Sequence, residues 1–334
     1  MNEHIETLES IHSKGNTEAF TPAQSNDFGP VVLIQGQSFT IVSFGLLVGL
    51  GAILGLMNTW FYLGAYQVLP HFSQSNQLAL ALAVGAPVSA YIVTRLLDMK
   101  TWLSGEKTFL EYIRTVSFGL WGGLVGGLLI LTSFAVATGT SMLGLFDAFA
   151  LGVPLAQAFG RVGCLNYGCC HGKECSSHQF GITYQNKQTK VLRYDPELKG
   201  KRLHPTQMYS IIANLIIYTT MLIIMLNWDS RPMGMMAGVY MTLYGLKRFG
   251  VEFLRGEFPR VFFYGLTVWQ WFSLSFIGLG LGVMTSVLYA GVGSGAMIVP
   301  AGFQAISATA GILVLAATIL GLSYGTHGRK LGSW

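Results

Sequence analysis

Long apolar runs separated by short polar joints set the pattern of this chain. Crossing a bilayer takes about 20 mostly apolar residues. On that template, helices are predicted near 38–60, 78–97, 115–137, 142–160, 207–227, 234–252, 265–288 and 302–324. The fourth contains LGVPLAQAFG and is expected to be broken, which is tolerated where a helix lines a cavity. The sixth runs into KRFGVEFLRGEFPR, too charged to face lipid. Residues 1–36 are polar and acidic, without the basic start and apolar centre of a signal peptide, and read as a flexible or loosely docked tail. Residues 171–205 form the one long polar insertion. Its GITYQ and KVLRY pieces alternate as a small surface hairpin would. No solenoid-type repeat is present.

The bulk numbers agree with a membrane protein. Apolar residues make up 51% and charged residues 10% of the chain, and the mean hydropathy is +0.50; a soluble domain carries about 25% charged residues. The 42 glycines fit closely packed or bent transmembrane helices. A net charge of +5, scattered and without basic runs interleaved by aromatics, excludes a nucleic-acid partner. No glycine-rich phosphate loop follows a strand and no Walker motif occurs, so no nucleotide cofactor is expected. All but one of the 20 lysines and arginines lie on or toward the side holding the N-terminal tail, 98–114, 161–206, 253–264 and the C-terminus, the exception being Arg231. By the positive-inside rule that side is cytoplasmic.

Candidate chemistry gathers on that same side. Arg161 ends the fourth apolar segment. Arg248, Glu252 and Arg255 follow i, i+4, i+7 spacing and share one helical face. An ordinary Arg–Glu pair at the membrane boundary is one reading. Three charges at membrane depth favour a cavity or a ligand, because ionisable groups there are costly. The arginine fork suits phosphate, and an anionic phospholipid head is the phosphate a bilayer offers. RLHPTQMYS (202–210) opens the fifth helix, with Pro205 suited to a first turn. His204 reads as a base or a cap, and Gln207 and Tyr209 offer polar contacts.

The stretch GRVGCLNYGCCHGKEC (160–175) holds all four cysteines as C-x4-C-C-H-x3-C. Structural zinc sites present well-separated ligand pairs, and adjacent Cys169 and Cys170 do not readily aim at one metal from regular backbone. No metal is therefore expected. A disulfide of Cys164 or Cys170 with Cys175 requires an oxidising compartment; free thiols packed among glycines are expected otherwise.

GRVGCLNYGCCHG, LHPTQMY, GLKRFGVEFLRG and LTVWQWFSL stand in the order and at the spacings of prolipoprotein diacylglyceryl transferases. WGGLVGG (121–127) is similar to that family's third-helix motif, and Asp147 stands where the family has an aspartate. The resemblance covers roughly residues 40–288. It implies an all-α polytopic membrane protein of about seven to eight transmembrane helices around a lipid-accessible cavity, with a small surface head domain. On it the chain divides into the tail 1–36, a membrane domain 37–288 with its head at about 171–205, and an additional helix and tail, 289–334.

The resemblance further implies an enzyme of the plasma membrane. It would move the diacylglyceryl group of phosphatidylglycerol, or another anionic phospholipid, to a lipoprotein-precursor cysteine and release glycerol phosphate. Arg161, Arg248 and Glu252 match the family's lipid-phosphate and catalytic polar set, and His171 and His204 are the further catalytic candidates. Arg161, Arg248, Arg255, Gly163, Cys164, Gly172, Gln207, Tyr209, Trp121 and Phe44 are the candidate lipid-binding residues, some of them matching the family and some departing from it. The resemblance places the signature side outside the cell, against the basic-residue count. It is preferred because several of those arginines belong to the site.

The departures are specific. Trp121 stands where the family has a histidine before Gly-Gly, Cys164 where it has an asparagine, and Phe44 where it has a tyrosine. Gly85-Ala86-Pro87 lacks the arginine of the second-helix motif. The phosphate grip is partly kept and thiol activation is altered, with His171, His204 and Glu252 the remaining bases and His171 preferred. Two other readings stay open: a lipid-handling paralogue without transfer activity, and a cysteine-dependent enzyme or metal protein on the same scaffold, with Cys164 as nucleophile on a different acceptor.

Overall fold

The computed structural model describes residues 27–69, 71–97, 99, 103–105, 120–176, 178–256, 262–291 and 293–328. Eight long helices form among these: α1 (Ser43–Ala65), α2 (Phe72–Leu97), α3 (Leu120–Thr138), α4 (Met142–Tyr167), α6 (Thr206–Asn227), α7 (Met235–Glu252), α8 (Val268–Ala290) and α9 (Val299–Gly325). Six spans are long and apolar enough to cross a membrane, and Val125–Thr138 is a further, shorter apolar segment. The protein is an all-α polytopic membrane protein. The eight predicted helices all occur, although the first begins at Ser43 because Phe39–Val42 is a strand, α1 and α4 run several residues past their predicted ends, and α2 and α9 begin before their predicted starts. Residues 115–119 of the third lie outside the described residues.

The expected break in the fourth helix does not occur. α4 runs unbroken through Pro154. A proline there removes one N–H, which a membrane helix tolerates when neighbours hold it, and α1 does so at close range. A Cβ on Gly55 would sit 2.8 Å from the Gly152 carbonyl oxygen, and one on Gly51 would sit 2.8 Å from that of Ala156.

The same device joins α1 to α9. Gly45 and Gly49 face Gly321 and Gly325, two G-x3-G faces on antiparallel helices. A Cβ on Gly321 would lie 2.9 Å from the Gly45 oxygen, and one on Gly325 would lie 3.0 Å from the Gly45 Cα. Small residues let backbones approach where lipid supplies no hydrophobic drive between helices. α9 is therefore packed into the body of the protein and is no appendage. Its end enters a three-stranded antiparallel sheet, with β2 (Phe39–Val42) between β1 (Val32–Gln35) and β5 (Thr326–Gly328). Residues 27–35, read as tail, are docked: the Asp27 carboxylate accepts the N–H groups of Gln185 and Asn186 at 2.9 and 3.0 Å.

The head differs from the expected hairpin. KVLRY is a short helix, α5 (Lys190–Tyr194), and GITYQ contributes one bridge, Ile182 to Leu203. Ile182, Tyr184, Val191, Leu192 and Leu203 bury together as a small core. With two apolar positions inside KVLRY, Val191 and Leu192, packing inward, one helical turn buries what a strand would leave half exposed. The strands β3 (Phe262–Phe263) and β4 (Leu266–Thr267) form a two-residue hairpin before α8.

Candidate functional site

Three sequence motifs meet at the C-terminal end of α4. Gly168, in the left-handed region at φ 76°, ends that helix and donates to the Cys164 carbonyl at 3.0 Å. The chain then runs between two others. Gly172 N–H donates to the His204 carbonyl at 2.9 Å, His204 N–H to Lys173 at 3.0 Å, Lys173 N–H to Leu254 at 2.9 Å and Gly256 N–H to His171 at 3.2 Å. GCCHG, LHPTQ and FLRG are thus laced side by side through backbone. A Cβ on Gly172 would lie 2.5 Å from the His204 oxygen and 2.8 Å from that of Leu254. Gly163 is likewise filled, by the Phe44 ring at 2.9 Å. Both positions were expected to admit a lipid headgroup; protein occupies that space, and the glycines serve chain packing.

The HPTQ residues hold the double-cysteine turn. Thr206 Oγ1 donates to the Cys170 carbonyl at 2.6 Å, and Gln207 Nε2 donates to that of Cys169 at 2.8 Å. Gln207 has no exposed surface, so it positions this turn. The Tyr209 hydroxyl reaches outward toward the Phe180 carbonyl at 3.5 Å. His171 and His204 are both buried. His171 Nδ1 lies 2.9 Å from the Gly172 carbonyl; an acceptor there makes Nδ1 the protonated nitrogen and leaves Nε2 basic. His204 Nδ1 is buried without a hydrogen-bond partner among the described residues.

The cations converge from two helices. Arg161 on α4 and Lys247 and Arg248 on α7 act electrostatically on one another, and Arg255 acts on Arg248. Arg248 Nη1 pairs with Glu252 Oε2 at 2.7 Å, and Thr267 Oγ1 donates to Glu252 Oε1 at 3.4 Å. Glu252 is 2% exposed. The intrahelical pair is real, and it holds Glu252 as a carboxylate partner of Arg248. The Arg248 guanidinium lies 5.4 Å over the Trp269 ring. Lys247, singled out by no sequence argument although it precedes Arg248 in the motif, donates to Asn214 Oδ1 at 2.7 Å and lies 4.0 Å over the Tyr244 ring. No carboxylate among the described residues forms an ion pair with Arg161 or Lys247. Among the described residues, Arg161, Lys247 and Arg248 come together in a mostly buried place with Glu252 paired to Arg248, an arrangement suited to an anion.

The double-cysteine turn leaves regular backbone. Cys170 takes φ 58°, and the Sγ atoms of Cys164, Cys169 and Cys170 all lie within 4.8 Å of one another. The objection that adjacent cysteines cannot share one focus therefore fails here. Arg161 Nη1 is 4.0 Å from Cys164 Sγ. None of the four cysteines is joined in a disulfide. Hydrogen bonds from the Cys164 and Cys169 thiols, followed by Arg161 and Arg255, hold the Cys170 thiol well below the usual range. Cys169 is pushed up by its hydrogen bonds with Cys164 and Cys170 and by burial.

Phe44 packs against Tyr167 and against Tyr324 of α9, with ring centroids 5.7 and 6.2 Å away. The side chain of Trp121 lies outside the described part of α3. An apolar cavity of about 360 Å³ lies between α1, α2, α4 and α9, bordered by Trp60, Pro87, Phe149, Ala156 and Tyr324. No charged side chain lines it, and Arg161 and Arg248 do not reach it.

Asp147 stands apart from the cations. It lies about 21 Å before Arg161 along α4, at 1.5 Å per residue. Its carboxylate accepts the N–H groups of Gly234 and Ala237, both at 2.8 Å, at the start of α7, and the Tyr62 hydroxyl at 3.3 Å. Tyr62 and Tyr66 accept from the fully buried Arg231, each at 2.9 Å. This network fixes the far end of the bundle, and no periodicity or spacing announced Arg231 as its centre.

The fold is a polytopic membrane bundle with Arg161, Lys247 and Arg248 brought together at one end. A family model for prolipoprotein diacylglyceryl transferase matches residues 30–286. The chain belongs to that family and is a transferase by class. It is similar to the phosphatidylglycerol--prolipoprotein diacylglyceryl transferase of Clostridium tetani (strain Massachusetts / E88), 28% identical over 246 residues, covering 71% of this chain and 92% of the relative. It is similar to the second such protein of Clostridium perfringens (strain 13 / Type A), 28% identical over 235 residues, covering 68% and 84%. The corresponding Streptococcus pneumoniae (strain ATCC 700669 / Spain 23F-1) protein is 30% identical over 164 residues, covering 48% of this chain and 58% of the relative. α9 lies beyond the matched residues.

Proposed function

We propose that the protein transfers the diacylglyceryl group of phosphatidylglycerol to the cysteine thiol of a lipoprotein precursor at the plasma membrane. The observation that carries this reading is the cluster of Arg161, Lys247 and Arg248, with Arg255 beside Arg248 and Glu252 paired to Arg248. Arginine forks bind the lipid phosphate and stabilise the charge that grows on the leaving oxygen. The acceptor sulfur forms a thioether bond to the glyceryl carbon that carried the phosphate oxygen. That carbon–oxygen bond breaks, and glycerol phosphate leaves with its electron pair. The thiol proton passes to a base, assigned to His171 through Nε2. The signature side is assigned to the extracytoplasmic face, because the arginines that weigh against this assignment belong to the site.

Phosphatidylglycerol retention by the purified protein tests the anion site. Wild type retains the lipid through purification, and Arg161→Ala with Arg248→Ala loses most of it. Full retention by the double variant sinks the assignment. Lipid retention without any transfer would identify a lipid-handling paralogue.

A further inference from the structure

We propose that Cys164, Cys169 and Cys170 form a three-thiolate site for one zinc ion, with its fourth coordination position open.

The three Sγ atoms already lie within 4.8 Å of one another. Zinc–sulfur bonds of about 2.3 Å in a tetrahedron place sulfurs about 3.8 Å apart, so closure asks for a movement of about 1 Å or less, within reach of side-chain rotation. The backbone is set for it. Cys164 stands on the last turn of α4, Cys169 N–H folds back to the Cys164 carbonyl at 3.1 Å, and the next residue, Cys170, turns left-handed at φ 58°. A non-glycine residue is disfavoured in that region, so the position is one where the cysteine side chain itself is wanted. Thr206 and Gln207 lock both cysteine carbonyls and so hold the turn that carries the thiols.

Charge favours the same conclusion. Three thiolates and one divalent zinc sum to −1, and the Arg161 guanidinium, 4.0 Å from Cys164 Sγ, supplies the compensating charge. A three-ligand zinc site with an open fourth position is the catalytic arrangement. Among the described residues no histidine or carboxylate joins the cluster to close it; His171 Nδ1 is turned to the Gly172 carbonyl. The open position suits a soft ligand, an incoming thiol, because zinc holds a coordinated thiol as thiolate. This last use of the site rests on the proposed transfer reaction; the zinc site itself does not.

The test uses full-length protein, reduced and purified in detergent, and titrated with cobalt(II) as a zinc probe. Wild type takes up one equivalent with a strong sulfur-to-cobalt charge-transfer band and the visible bands of a tetrahedral site, and zinc displaces it. Cys170→Ser loses the band, and Cys175→Ser, outside the cluster, keeps it. In wild type alone, release of one zinc by a mercurial thiol reagent gives the same reading without any variant. A visible-band shift on adding a short cysteine peptide supports the open position. A wild type without a thiolate–cobalt band, or with a disulfide among these three cysteines before reduction and no band after it, overturns the proposal. The cobalt band requires no lipid turnover, so its absence and the absence of transfer activity are separate results.

Discussion

The N–H of Gly172 donates to the carbonyl of His204 at 2.9 Å, and this bond ties the cysteine-rich stretch to the start of α6. The two segments stand about thirty residues apart in sequence, with the head between them. A methyl group at Gly172 would lie 2.5 Å from that same oxygen. Gly172→Ala is expected to part the two strands, lower phosphatidylglycerol retention and leave the helix content unchanged. Circular dichroism with a lipid assay on the same sample reads this; unchanged retention would show that the lacing does not position the cations.

The contacts of Asp147 and Arg231 lie at the far end of the bundle, and we assign both residues to structure rather than to the proposed transfer reaction. Asp147→Ala leaves the Gly234 and Ala237 N–H groups buried without partners, at about 1–3 kcal/mol for each. The unfolding midpoint in detergent should fall, while the folded fraction keeps its turnover per molecule. A variant of normal stability and no activity would place Asp147 in the reaction instead.

Overpacking should expose the α1–α9 seam. Gly321→Leu inserts a side chain where a Cβ alone would lie 2.9 Å from the Gly45 oxygen, and is expected to cost about 1–3 kcal/mol. The same substitution at Gly311, where a Cβ would meet nothing within 4 Å, should be neutral. Equal stability of the two variants would mean that α9 does not pack on α1 as described.

His327, in β5, responds to acid. Burial, and then the charge of Arg193, hold its pKa below the ordinary value. The unfolded chain therefore takes up a proton first, near pH 6.5, and stability falls as the pH drops through and below that value. Above it the penalty is absent. His327→Gln should flatten this part of the midpoint-against-pH curve between about pH 7 and pH 5; an unchanged slope would assign the acid sensitivity elsewhere.

The length of apolar runs located all eight long helices, since a bilayer demands such runs and little else in this sequence meets that demand. The head was misread because KVLRY alternates over five residues, too short to separate one helical turn from a strand. Pro154 invited a break that packing against α1 overrides. Arg161, Arg248 and Glu252 stood out as charges at membrane depth. Lys247 was missed because it sits beside a more conspicuous arginine. The convergence of the cysteines depended on one left-handed residue, Cys170, which no pattern of residue types discloses.

The central claim, a cationic site that turns phosphatidylglycerol into a diacylglyceryl donor, is tested most directly by turnover. Purified protein is mixed with phosphatidylglycerol labelled in its headgroup and a peptide carrying a lipoprotein-type cysteine, and released glycerol phosphate is counted. Wild type should release label in step with thioether formation on the peptide, and Arg161→Ala should slow release about 100-fold. No release by wild type, or release undiminished in Arg161→Ala, would contradict it.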